Sequence, residues 1–141
     1  VKRIYVAGGS SERLTVVQPW IERIRASGLW EVTHDWTQEA NYHRPAVECA
    51  MQDVSGVLSA DAVWLLVPEA ASEGMAFEFG LALQSAHAVV ASGPSTGRCI
   101  FHTQARRRFE RHEDAFLWLT GKRVDAPSDY LRNRAEFSTA A

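Results

Sequence analysis

The sequence predicts an α/β fold: a single doubly wound, mostly parallel five-stranded sheet with helices on both faces. Three observations carry this. Residues 62–67 form an almost unbroken apolar run between Asp61 and Pro68, the pattern of a strand covered on both faces in a parallel sheet. Strand-like and helix-like segments alternate along the chain at the spacing of crossover connections. The glycine pair Gly8-Gly9 directly follows the first strand, where such sheets turn toward a helix. With 141 residues, 46% of them hydrophobic, the chain can fill one core and is too short for two.

Each element has its own signal. Residues 2–7 are a short strand with Ile4 and Val6 apolar, leading into Gly8-Gly9-Ser10-Ser11, a loop that lets the backbone approach a ligand closely. Over residues 14–26, Val17, Trp20, Ile21 and Ile24 make a helical stripe that Gly28 stops. Residues 31–36 read as a second strand whose end, Thr33-His34-Asp35-Trp36, falls at the same sheet edge as the glycine loop. Pro45 opens a helix in which Val47, Ala50, Met51, Val54, Val57 and Leu58 are expected to face the core. After the central strand, Ser72 can cap a helix, Glu73 suits its positive end, and Met75, Phe79, Ala82 and Leu83 recur at helical spacing. Residues 87–91 give a fourth strand, Gly93 to Gly97 a turn, residues 98–102 a fifth strand, and residues 114–120 a short closing helix. The expected organisation is one domain over residues 1–121 and a polar arm or tail over residues 122–141.

Composition narrows the function classes. A formal net charge of -2 supplies no general field for nucleic acid, and the local cluster Arg106, Arg107, Arg108 and Arg111 reads as a solvated helix face. The two cysteines, Cys49 and Cys99, lack metal-ligand spacing, and no secretory leader pattern precedes the first strand. No apolar run reaches the roughly 18 residues of a membrane span. The expectation is a reduced, cytoplasmic protein without metal, cofactor, nucleic-acid or membrane partner.

Ligands of open parallel sheets bind beyond the carboxyl ends of the strands. This rule gathers the glycine-serine loop, residues 33–36 and residues 68–78 into one cleft. There Glu78 is expected to be anionic at neutral pH, favoured by the dipole and free N–H groups of its helix N-terminus. A positioned carboxylate can attack an anomeric carbon, whose transition state resembles an oxocarbenium cation, while a second acid assists the leaving group. Asp53, eight residues before Asp61 and so on a similar helix face, is the candidate for that second acid. Asp61 itself reads as structural, at a strand start. His34 and Asp35 make an acid-base or metal couple without a third ligand. Trp36 can wall the cleft.

Ile4-Tyr5-Val6-Ala7-Gly8-Gly9-Ser10, Asp53 ahead of Ala60-Asp61, and Gly74-Met-Ala-Phe-Glu78-Phe-Gly80-Leu-Ala82 together resemble the nucleoside 2-deoxyribosyltransferase superfamily, including its 2'-deoxynucleoside 5'-phosphate N-hydrolases. The resemblance spans residues 2–90. It implies that Glu78 forms a glycosyl-enzyme intermediate, that Asp53 assists the departing base, and that Tyr5 supplies a phenol beside the nucleophile. Ser72 stands where those nucleotide hydrolases contact phosphate and the transferases carry aspartate. Ser10, Ser11 and Arg13 are further phosphate candidates. Gly9 departs from the pattern, standing where the hydrolase loop has serine. Gly8, Gly9, Gly74, Met75, His34 and Trp36 complete the expected binding set. A nucleoside or nucleotide substrate follows, with the sugar passed to water or to another base. A homo-oligomer, a dimer, follows as well, because relatives complete their sites with a neighbour's residues, and the C-terminal segment is the candidate for that role. The alternative reading is a non-catalytic nucleotide-binding module on the same cleft.

Overall fold

The computed structural model describes residues 1–86 and 88–124. Five strands, β1 (Lys2–Gly8), β2 (Trp30–Val32), β3 (Ala62–Leu66), β4 (Ala88–Ser92) and β5 (Arg107–Phe109), form one all-parallel sheet in the order β2-β1-β3-β4-β5. Between and after them run α1 (Gln18–Ala26), α2 (Glu39–Tyr42), α3 (Ala46–Leu58), α4 (Glu73–Ser85) and α5 (His112–Leu119). The predicted Rossmann-like α/β architecture is what the chain forms.

Strand periodicity builds the two faces. Successive side chains point to opposite sides, so Ile4, Val6, Trp64 and Leu66 meet Ile21 and Ile24 of α1 and Ala115 and Leu119 of α5. Tyr5, Ala7, Val63 and Leu65 meet Val57 of α3 and Phe79 and Ala82 of α4 on the other side. The chain leaves β1 toward β2 on one flank and then returns to place β3 on the other. That reversal opens a crevice between the carboxyl ends of β1 and β3.

Several boundaries differ from expectation. The second strand is shorter than residues 31–36, because residues 33–37 turn across the sheet end. The α-helix begins at Gln18, after a 3-10 turn over Ser10–Glu12 and a π-helical segment over Arg13–Val17, and Gly28 at φ +70° ends it as predicted. Helix α2 had no sequence signal strong enough to be read. The predicted fifth strand is overturned: Ile100–Gln104 is a 3-10 turn, with Ile100 and Phe101 exposed, and Arg107–Phe109 pairs with β4 instead. The arginine cluster is therefore no helix face. It straddles an edge strand in which Arg108 is buried, and edge strands carry charge readily. His87 and the predicted arm from residue 125 onward lie outside the described residues.

The third helix also departs from its predicted packing. Val57 is buried, but Val47, Met51 and Leu58 are more than half exposed. Asp61 lies past the end of α3, at the start of β3, where its Oδ2 accepts from the Arg3 N–H at 2.8 Å. It is structural, as predicted, and shares no helix face with Asp53.

Candidate active site

A cleft of about 530 Å³ occupies the crevice at the switch in strand order. Its walls are Gly8 to Ser11 after β1, Trp36 after β2, Asp53 of α3, and Ala70 to Met75 with Glu78 around the start of α4. The three segments that topology was expected to gather do converge. Gly8 permits this locally: a Cβ there would stand 2.4 Å from Val17 Cγ2, so only glycine lets the first turn close over the end of β1.

Ser72 caps α4, its Oγ accepting from the Met75 N–H at 3.2 Å. Arg98 holds the preceding loop from outside, donating to the Pro68 carbonyl at 3.1 Å and to that of Glu69. Counting from the Ser72 cap, Glu78 stands in the second turn, whereas Glu73 occupies the first. The expectation of a dipole-stabilised anion at Glu78 is corrected accordingly. Helix-end effects fade beyond the first turn, and burial dominates. Burial pushes Glu78 up to about 7; the Tyr5 phenol lowers it in part, and the Asp53 charge raises it further. Although Glu78 as a residue is partly exposed, its Oε2 is shut off from solvent.

Tyr5 lies beneath the cleft, fully buried in the face that carries α3 and α4. Burial and the neighbouring Glu78 and Asp53 carboxylates raise its pKa, which keeps the phenol protonated. The phenol is near enough to Glu78 to perturb it, yet the contact falls short of an aligned hydrogen bond. Tyr5 Oη and Glu78 Oε2 are both buried polar atoms without a hydrogen-bond partner. Buried polar atoms normally find partners, so this pair marks a place built for something other than stability.

Asp53 faces the same cleft, with its pKa raised by burial and held back by His34, whose Nε2 is 3.4 Å from Asp53 Oδ1. Gly56 allows this approach. A Cβ on Gly56 would stand 2.9 Å from both His34 Cβ and Tyr5 Cδ2, so the glycine lets α3 lie directly on the tyrosine ring. Nothing in the sequence alone marks Gly56, because a glycine inside a helix reads as a weak point rather than a contact.

Of the predicted residues, Glu78, Asp53, Gly8, Gly9, Ser10, Ser11, Ser72, Gly74, Met75 and Trp36 line the cleft, and Tyr5 underlies it. His34 does not line it directly. It borders a second lobe of about 360 Å³ that shares Ser10, Trp36 and Asp53 with the first and adds Asn41, Tyr42, Arg44 and Cys49, which the sequence reading missed. Trp36 is fixed by its indole N–H donating to the Val6 carbonyl at 2.9 Å. Arg13 is not brought in: it donates to the Thr37 carbonyl at 2.5 Å and stacks on Tyr42 at 4.1 Å. Asp35 turns the other way and is held by Thr37, Gln38 and Arg25. Among the described residues, no group of three or more His, Cys, Asp or Glu side chains is placed to hold a metal ion. Among the described residues, the lining of the main cleft thus holds three carboxylates, Asp53, Glu73 and Glu78, and neither lysine nor arginine.

Comparison of the chain with protein-family models, with curated proteins and with solved structures yields no match.

Proposed function

We propose that the chain cleaves the N-glycosidic bond of a nucleoside through a covalent glycosyl ester on Glu78. The observation that carries this reading is the convergence, at the strand switch, of a half-buried carboxylate, a protonated phenol beneath it and a second carboxyl group across the cleft. An ionised Glu78 oxygen attacks C1' of the sugar. The bond from C1' to the base nitrogen breaks, and its electron pair leaves with the base, which takes a proton from Asp53 or from water. Water, or a second base, then attacks C1' from the opposite side and frees Glu78, so the sugar keeps its anomeric configuration.

The pKa values support these roles. A carboxylate poised near 7 is partly ionised at neutral pH and is poorly solvated, which makes its ionised form a stronger nucleophile than a free glutamate. Asp53, raised by burial from its ordinary value, keeps its proton to a higher pH than an exposed aspartate. The Tyr5 phenol beneath the nucleophile favours its ionised form.

The lining favours an unphosphorylated sugar. Phosphate sites draw on arginine, lysine or free helix N–H groups. Here Arg13 is engaged elsewhere, Ser72 serves the Met75 N–H, and the lining charges are negative. The 5'-monophosphate substrate that the serine at position 72 implies is therefore the weaker choice.

The test is release of free base from a panel of nucleosides and their 5'-monophosphates, resolved by chromatography. Release from nucleosides that disappears in Glu78→Ala supports the proposal, and a second free base in the mixture distinguishes transfer from hydrolysis. Binding without release would instead favour the non-catalytic module.

A further inference from the structure

We propose that the groove between α4 and the 3-10 turn Ile100–Gln104 is a separate ligand site, which takes a small amphipathic carboxylate: an aromatic or alkyl body with one anionic head. The proposal stands apart from the reading of the cleft, and its test needs no base release. The groove has a volume of about 330 Å³, within the range of small-molecule sites. Met75 and Phe79, both nearly buried, line it together with Leu83 and the exposed Phe101, so much of its wall is apolar. An apolar wall does not choose an occupant. The charges beside it do.

Among the described residues, the lining of the groove carries the cation of Arg98 and the imidazole of His102, and no carboxylate. The main cleft is the reverse, lined by carboxylates without arginine. His102 is 3% exposed, and its Nδ1 accepts from the Gly97 N–H at 3.2 Å, which leaves the proton of the neutral ring on Nε2. That Nε2–H has no acceptor among the described residues and is not sealed in the interior, so the groove is where it can meet one. Side chains as buried as this one normally have their donors satisfied. Arg98 spends Nη1 alone on the Pro68 and Glu69 carbonyls, and Nη2 and Nε keep a planar fork of donors that suits a carboxylate. Burial, and then the Arg108 and Arg98 guanidiniums, lower the His102 pKa. The ring therefore stays neutral in a field that favours an anion.

Gly80 is an independent sign. Glycine within a helix is unfavourable by about 1 kcal/mol relative to alanine. A Cβ at Gly80 would meet nothing within 4 Å, so no contact inside the described chain requires it. On the border of the groove, the missing side chain keeps the mouth open. The groove and the main cleft share Ala71, Ser72 and Met75 as walls, so an occupant lies against the cap of the helix that carries Glu78.

Titration of the isotope-labelled full chain with phenylbutyrate, followed by NMR, tests the proposal. Saturable shifts are expected at the amides of Gly80, Cys99 and His102, with a Kd of about 1 mM or tighter. Phenylbutanol, the same body without the charge, should bind about 10-fold more weakly. Gly80→Trp fills the mouth and should weaken phenylbutyrate about 10-fold or more in a chain whose spectrum stays folded. Arg98→Gln should erase the preference for the acid over the alcohol, and Arg98→Lys should restore part of it, which separates charge from the loop contacts to Pro68 and Glu69. Shifts that do not saturate by about 10 mM, that fall outside the groove, or that the alcohol matches would overturn the site. So would a folded Gly80→Trp that binds as wild type does.

Discussion

Burial holds Glu78 at a pKa of about 7, against 4.5 for a free glutamate. Between those values the folded chain keeps a proton that the unfolded chain has released. The stability contributed by this group is therefore fully present below pH 4.5 and is lost as pH rises through about 7. Glu78→Gln removes the titration and keeps the shape. At pH 8 it should exceed wild type in urea denaturation by about 1–3 kcal/mol, with the difference vanishing near pH 4, while base release is abolished. Wild-type release should rise with pH through about 7, since only the ionised form attacks. Tyr5→Phe tests the phenol. Its hydroxyl is buried without a hydrogen-bond partner, so losing it should leave stability unchanged or raise it by up to about 1 kcal/mol. The phenol also lowers the Glu78 pKa, so the acid limb of the rate profile should move to higher pH in the variant. Topology brought Glu78 to the strand ends and the family resemblance added Tyr5, whereas the helix-face argument that chose Asp53 fails because Asp61 lies beyond α3. The sequence reading misjudged the charge state of Glu78, which depends on how much of the carboxyl other segments cover.

Helix α3 illustrates how much an element's pattern reveals and where it stops. Its apolar spacing was legible, but the stripe faces two ways: Val57 meets the sheet, whereas Val47, Met51 and Leu58 do not. Periodicity reports that a face is apolar and is silent about what covers it. The contact that seats α3 is Gly56, lying against His34 and Tyr5. Gly56→Ala should lower stability by about 1–3 kcal/mol despite the better helix propensity of alanine, because a methyl group has no room there. Displacing Asp53 along with the helix should also slow base release by about 10-fold or more, as positioning losses of an ångström do. Melting curves and initial rates on the same preparation check both effects. The misread fifth strand has a related cause. Ile100 and Phe101 look like a buried strand from composition, yet the segment that pairs with β4 is an arginine-rich edge, where one strand neighbour suffices and charge is tolerated.

For the molecule as a whole, two hydrophobic clusters share one sheet and cannot separate without breaking the strands between them. Ile4 and Val6 serve one cluster, Tyr5 and Ala7 the other, all from β1. Unfolding should accordingly be a single transition, with tryptophan fluorescence and far-ultraviolet dichroism superimposing, and Val6→Ala should shift both curves together by about 1–3 kcal/mol. The alternation of strands and helices, the buried central strand and the glycine turn after β1 were enough to determine the parallel α/β architecture, since local periodicity and right-handed crossovers leave few other arrangements. They also determined that a cleft would open at the strand ends carrying Glu78. What only the tertiary structure decided was the protonation of that carboxylate, the removal of Arg13 from the cleft, and the apolar surface left on α3 and α4. Each of these depends on which distant segments exclude water from a side chain, and solvent exclusion is a property of packing that no local stretch of sequence contains.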